Sequence, residues 1–376
     1  MARYRRRRPK SVREVLDGLG FDPETIEEAE ETGTAELLAI DGLVLPERGK
    51  LTLAELADKV GAEPAAVRVL WRSLGFVEPV EDDPMFTKTD VRILRNLIGL
   101  TKAGAVRPAV ALQLGRVLGQ AMSQVATAVV DATEAQAAEA RDSDDEAESP
   151  FAASAGEILP FLSDAVDYTF RRHLRAAARR RVDLAMLVEG TGQVVGFADL
   201  VRFTELSMQL ADDELAEVVG RFDDLVHQVV VEHDGRIVKM IGDAAMFTVV
   251  DPVQGAMIAL EMAEAVAAED ALGSVRIGMA YGPILTRDGD LYGPVVNLAS
   301  RLVGVGRAGA VNVSHELRDA IGSDHRFALR SLGPKPLKGI GDARVYRLRP
   351  GEDWGLDLRT SAPAAAAEIA DQLHHP

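Results

Sequence analysis

An all-α half followed by an α+β half is the architecture this sequence predicts, and three observations predict it. Up to about residue 130 every strong apolar segment has helical spacing, and from about 186 apolar strands alternate with amphipathic helices. Between them runs an acidic, Ala-rich stretch over 131–157 with little to bury. The expected parts are a helical domain over 1–156, a connecting helix over 157–185, an α+β domain over 186–350 and a disordered tail over 351–376 that ends in His374 and His375.

Taken in order, the first half carries helical repeats at Val12, Val15, Leu16 and Leu19, then at Leu53, Leu56, Ala57 and Val60. Further repeats follow at Val91, Leu94 and Ile98 and at Val110, Leu114 and Val117. Residues 51–70 read as a helix, a turn containing Gly61 and a second helix opened by Pro64, a helix-turn-helix-like unit. A DNA reader wants basic or amide side chains at the start of that second helix, but here it begins Glu63-Pro64-Ala65-Ala66 and offers mainly Arg68 and Arg72. A packing scaffold is the better reading. Ile158, Leu162, Val166, Phe170 and Leu174 then recur every four residues and mark the connecting helix, whose end is densely basic around His173.

In the second half, 194–201 reads as a buried strand, Leu215 to Val229 as an amphipathic helix, and 236–240 with 244–249 as a hairpin turning at Gly242-Asp243. A helix over 252–268, a strand over 275–280, a Gly/Asp-rich loop, a helix over 294–303, a strand over 310–313, a short helix to Ile321 and a β-rich end complete a mixed sheet with helices.

Composition excludes several classes of function. The 376 residues, 47% of them apolar, suffice for two or three packed domains, and the absence of cysteine removes disulfides, thiolate metal sites and a cysteine nucleophile. No run of about 18 apolar residues occurs, so a cytoplasmic protein without a transmembrane segment is expected. A net charge of −17 makes general nucleic-acid binding unfavourable, despite the basic arm at residues 3–10.

The chemistry sits in the second half. Asp199 ends one apolar strand, and Lys239 precedes Asp243 by four residues, the latter in a hairpin turn. Two separated carboxylates and a lysine suit metal-assisted chemistry on a nucleotide. In order along the chain, Phe197-Ala198-Asp199-Leu200-Val201-Arg202-Phe203-Thr204, Lys239-Met240-Ile241-Gly242-Asp243, Asp290-Leu291-Tyr292-Gly293-Pro294-Val295-Val296-Asn297-Leu298-Ala299-Ser300-Arg301 and Leu337-Lys338-Gly339 resemble the signature of class III adenylyl cyclases. Each piece alone has a bland reading as a turn, a cap or a surface pair; their order and spacing together do not.

The resemblance implies a class III nucleotidyl cyclase domain behind a regulatory domain, similar to soluble actinobacterial, mycobacterial-type cyclases that respond to pH. It implies that Asp199 and Asp243 hold two Mg²⁺ or Mn²⁺ ions, and that the chain around Phe203 and Thr204 cradles phosphate. It also implies that Lys239 and Asp290 read adenine, Asn297 positions the ribose, Arg301 stabilises the transferring phosphate and Lys338 binds the terminal phosphates. The two sets of residues would meet only across a homodimer, making cyclic AMP and pyrophosphate from ATP. Arg202 stands where the family has Gly. By the same analogy the helical half regulates; the basic junction marks His173 as a candidate proton-sensitive group there, and the apolar helical domain is a candidate house for a lipid or fatty-acid ligand. A DNA-binding or nucleotide-sensing regulator with a weakly active cyclase domain is the competing reading.

Overall fold

The computed structural model describes residues 11–45, 47–140, 150–186 and 192–355. The chain splits into two compact units, Met1–Arg181 and Val182–Pro376. The basic arm over 3–10, residues 141–149 of the acidic stretch and the two terminal histidines lie outside the described residues.

In the first unit α1 (Val12–Gly18), α2 (Pro23–Glu31) and α3 (Ala35–Val44) close a small core on Leu16, Ile26 and Ala39. A separate core around Leu56, Val67, Phe86 and Leu94 joins α4 (Leu53–Val60), α5 (Pro64–Ser73) and α6 (Lys88–Lys102). Local signals fix these helices: Thr52 with Glu55 and Thr87 with Asp90 form capping boxes, Gly61 closes α4 in the left-handed region at φ 68°, and Pro64 opens α5. The helix-turn-helix-like unit therefore forms as read. Helices α2 and α3 were not anticipated, because α2 is acidic and turns only Ile26 and Ala29 inward, too few for a visible period.

Two long helices follow, α7 (Pro108–Ala140) and α8 (Pro150–Met186). The connecting helix thus starts at Pro150 rather than 157, with proline at the first helical position where its missing N–H costs nothing. Phe161, Tyr168, Phe170 and Leu174 on α8 are exposed, while Ile158, Leu162 and Val166 of its apolar stripe are half-buried.

The second unit is built on a seven-stranded sheet of order β2-β3-β1-β4-β7-β9-β8. Its strands are β1 (Gln193–Leu200), β2 (Arg236–Ile241), β3 (Ala244–Val249), β4 (Val275–Gly282), β7 (Val311–Ser314), β8 (Phe327–Leu337) and β9 (Gly341–Pro350). Only β4 and β7 pair in parallel, so the sheet is mixed as expected. The Gly/Asp-rich loop is a correction: it folds as a separate hairpin of β5 (Leu285–Arg287) and β6 (Asp290–Tyr292), turning at Asp288-Gly289.

Strand alternation sends side chains to two faces. Val194, Ala198, Ile277 and Met279 face α10 (Asp212–Glu232), α11 (Pro252–Ala268) and α13 (His315–Ile321). Val195, Phe197, Met246 and Ala280 face Leu291 of β6 and Ala299 of α12 (Pro294–Val305). Helix α12 lies so close to β4 that a Cβ on Gly278 would collide with the Ala299 carbonyl and the Val303 amide, which only glycine avoids. Packing also continues past 350: the ring of Trp354 packs at a tilt against Phe327 and its Nε1 donates to Glu264 at 2.8 Å, so the packed fold reaches beyond the expected tail boundary.

Candidate active site

Asp199 is the seventh residue of β1, on the face that carries Val195 and Phe197. Its neighbour across the ladder on one side is Ala244, immediately after Asp243, and on the other side Arg276. The turn of the β2–β3 hairpin is thereby pinned beside it, with the Leu200 amide donating to the Asp243 carbonyl at 3.1 Å. Burial, and then the adjacent Asp199 carboxylate, raise the Asp243 pKa above the ordinary carboxylate value. The two carboxylates that the sequence reading paired are therefore neighbours in the structure.

It missed Arg276, which donates through Nη2 to Asp199 while its Nε is buried with no partner among the described residues. Its signal was a lone cation in the apolar strand Val275-Arg276-Ile277, but the register that aims it at Asp199 spans 77 residues and no local pattern encodes it. With that arginine counted, the cluster keeps one net negative charge and offers oxygen donors only. Such a set fits a hard divalent cation completed by water and phosphate oxygens better than a soft metal. A shallow cleft of about 290 Å³ opens here, lined by Phe197, Asp199, Ala244, Arg276, Ser300 and Gly304 among others.

Lys239 and Asp290 also meet. The β2–β3 register shifts between Ile237 and Lys239, a bulge that adds a residue. Ile237 and Met240 pack on the helix side of the sheet, while Val238 joins Leu291 on the α12 side. The bulge turns Lys239 toward the β5–β6 hairpin, where its Nζ lies 2.5 Å from Asp290 Oδ2. Burial would raise the Asp290 pKa, but hydrogen bonds from Lys239 and the Leu291 amide outweigh it and hold it below the usual range.

The remaining expected residues are not drawn into either cluster. Asn297 and Arg301 are exposed one turn apart on α12, and Lys338 is exposed in the turn between β8 and β9. Phe203 and Thr204 open a single helical turn, α9 (Phe203–Leu206), and Phe203 packs against the core. The residue before them explains the departure at 202: Arg202 adopts φ 68°, the left-handed region that glycine tolerates best, and its side chain pairs with Glu205 at 2.7 Å.

Residues 189–350 match the family model of the adenylate and guanylate cyclase catalytic domain. The chain is 32% identical over 322 residues to an adenylate cyclase of Glutamicibacter nicotianae, covering 80% of this chain and 79% of that one. The chain belongs to the class III adenylyl cyclase family. This cyclase is also 31% identical to an adenylate cyclase of Streptomyces coelicolor, covering 90% of its own length and 97% of the relative. It superposes on the adenylyl cyclase CyaB of P. aeruginosa with a TM-score of 0.40 at 24% identity, over 44% of this chain and 98% of that one. Among the described residues of the cyclase no helix is long and apolar enough to cross a membrane.

Proposed function

We propose that this adenylate cyclase converts ATP to 3′,5′-cyclic AMP and pyrophosphate at a site completed by a second copy of the chain. The observation that carries the substrate choice is the Lys239–Asp290 pair, held 2.5 Å apart. An ammonium donor beside a carboxylate acceptor complements adenine, whose N1 accepts and whose 6-amino group donates. Guanine reverses both groups and would leave the pair mismatched, which is how a polar site rejects a wrong base.

Asp199 and Asp243 would hold two Mg²⁺ or Mn²⁺ ions, which when bound supply charge neutralisation and a more acidic ribose hydroxyl. Arg276 keeps Asp199 oriented through its hydrogen bond. Asn297 would orient the ribose, Arg301 would meet charge developing on the α-phosphate, Lys338 would hold the outer phosphates, and the amides at Phe203 and Thr204 would add donors. A homodimer is supported by the residues forming two separate clusters, Asp199 with Arg276 and Asp243 in one and Lys239 with Asp290 in the other. The exposed apolar residues of α8 offer a surface for the same partner. Control through the helical unit and His173 belongs to this proposal, and replacing His173 with Gln should flatten the activity-versus-pH profile.

The DNA-binding reading loses ground on one contact. Glu78 accepts from both Arg68 and Arg72, at 3.1 and 2.9 Å, so the cations of the second helix are already engaged. Purified protein incubated with Mn-ATP or Mn-GTP should release cyclic AMP alone, and an Asp243→Ala chain should release neither. Equal turnover of the two nucleotides would overturn the base-reading assignment.

A further inference from the structure

A cleft lies in the helical unit, and nothing in the cyclase reaction uses it. Its volume is about 930 Å³, within the size range of small-molecule sites. The floor is apolar, with Phe86 and Val91 buried and Leu51 half-buried. The rim carries Arg48, Lys50, Lys59, Lys88, Arg92 and Arg95, all exposed. Among the described residues none of these six cations makes an ion pair.

The concentration of charge is unusual for this chain, whose net charge is −17. The one carboxylate lining the cleft, Glu47, accepts from the Thr89 amide at 3.1 Å at the start of α6. Arg95 is anchored by donating twice to the Lys59 carbonyl, at 2.8 and 3.3 Å, and Arg48 lies over the Phe21 ring at 4.6 Å. Holding six like charges around one concavity is repulsive, and an anion relieves it.

We infer that this cleft binds a phosphorylated small molecule of nucleotide size that carries at least two negative charges. Six cations exceed what one carboxylate needs, which separates this ligand from a fatty acid. The concave shape and apolar floor suit a compact ligand with an apolar body, whereas a duplex needs a long open surface. The inference does not depend on the dimeric site, since every residue named belongs to the helical unit.

The cleft has its own reporter. Trp71 packs edge-on against Phe86, ring centroids 5.0 Å apart, and the chain has only two tryptophans. A Trp354→Phe chain therefore reads the cleft alone, even when ATP also occupies the catalytic site. Titrating it with inorganic tripolyphosphate and with ATP should give a saturable, salt-sensitive fluorescence change. Lys88→Gln and Arg92→Gln, both at exposed positions, should each weaken binding at least about tenfold while leaving the melting temperature without ligand unchanged. Lys50→Gln serves the same purpose if either of those variants fails to fold. No change with either phosphate compound would overturn the inference. A response to oleate alone would overturn it in favour of a lipid, and a tighter response to duplex DNA would overturn it in favour of a nucleic-acid surface. Asp243→Ala in the same background should bind tripolyphosphate normally even though it makes no cyclic AMP.

Discussion

The two units bury their apolar residues differently, and the difference explains what each can do. In the cyclase unit one sheet is packed on both faces, with Phe222, Phe247, Ile258, Met262 and Ile277 fully buried, and the candidate site residues stand on that sheet, in its turns, or on α9, α12 and the β5–β6 hairpin beside it. In the helical unit two small cores are separate, one under α1 to α3 and one under α4 to α6, and the long helix α8 keeps large apolar side chains exposed. A doubly covered sheet fixes donors to within a fraction of an ångström, as chemistry demands. Small independent cores open and repack at lower cost.

The largest expected break in that contrast is at Gly278. Its replacement by Val pushes α12 off β4 and should cost upwards of roughly 4 kcal/mol, because the obstructing atoms are backbone that cannot rotate away. Calorimetry should show the cyclase transition lost or strongly lowered and the helical transition in place. Phe86→Ala is the converse, removing about 3 to 5 kcal/mol from the helical unit and leaving the cyclase transition where it was.

A smaller effect depends on pH. His233 caps the end of α10, with Nε2 2.7 Å from Glu261 and Nδ1 2.7 Å from Gln254. The Glu261 hydrogen bond leads in raising its pKa above the ordinary histidine value, against burial, and the charge of Glu232 adds to it. A raised folded-state pKa gives stability that is complete below the unfolded value, about 6.5, and is lost as pH rises through the higher folded value. Wild type should therefore exceed His233→Gln by on the order of 1 to 2 kcal/mol near pH 6, a gap that narrows on the alkaline side, as denaturant melts at several pH values can measure. The smallest effect is at Arg202, where Gly relieves the left-handed strain. That change should stabilise the cyclase unit by about 1 kcal/mol or less, seen as a small rise in melting temperature.

Legibility in the sequence followed the range of the interaction. Capped helices such as α4 and α6 and strands such as β1 and β4 announce themselves, because their caps and periods are local. Lys239 and Asp290, 51 residues apart, became a pair only through the family signature. The bulge that aims Lys239, the hairpin that presents Asp290 and the arginine that pairs with Asp199 are consequences of strand register, which depends on the whole sheet. Helix α3 was invisible for another reason: Leu37, Leu38, Leu43 and Val44 give it apolar residues around most of its circumference, so no single face stands out.

The central claim is that one chain supplies the carboxylates and its twin supplies the adenine reader. An Asp199→Ala chain and a Lys239→Ala chain, each inactive alone, should regain cyclic AMP production when mixed, because one of the two sites in the mixed dimer is intact. Continued inactivity of the mixture, with mixed dimers present and wild type active under the same conditions, would contradict it.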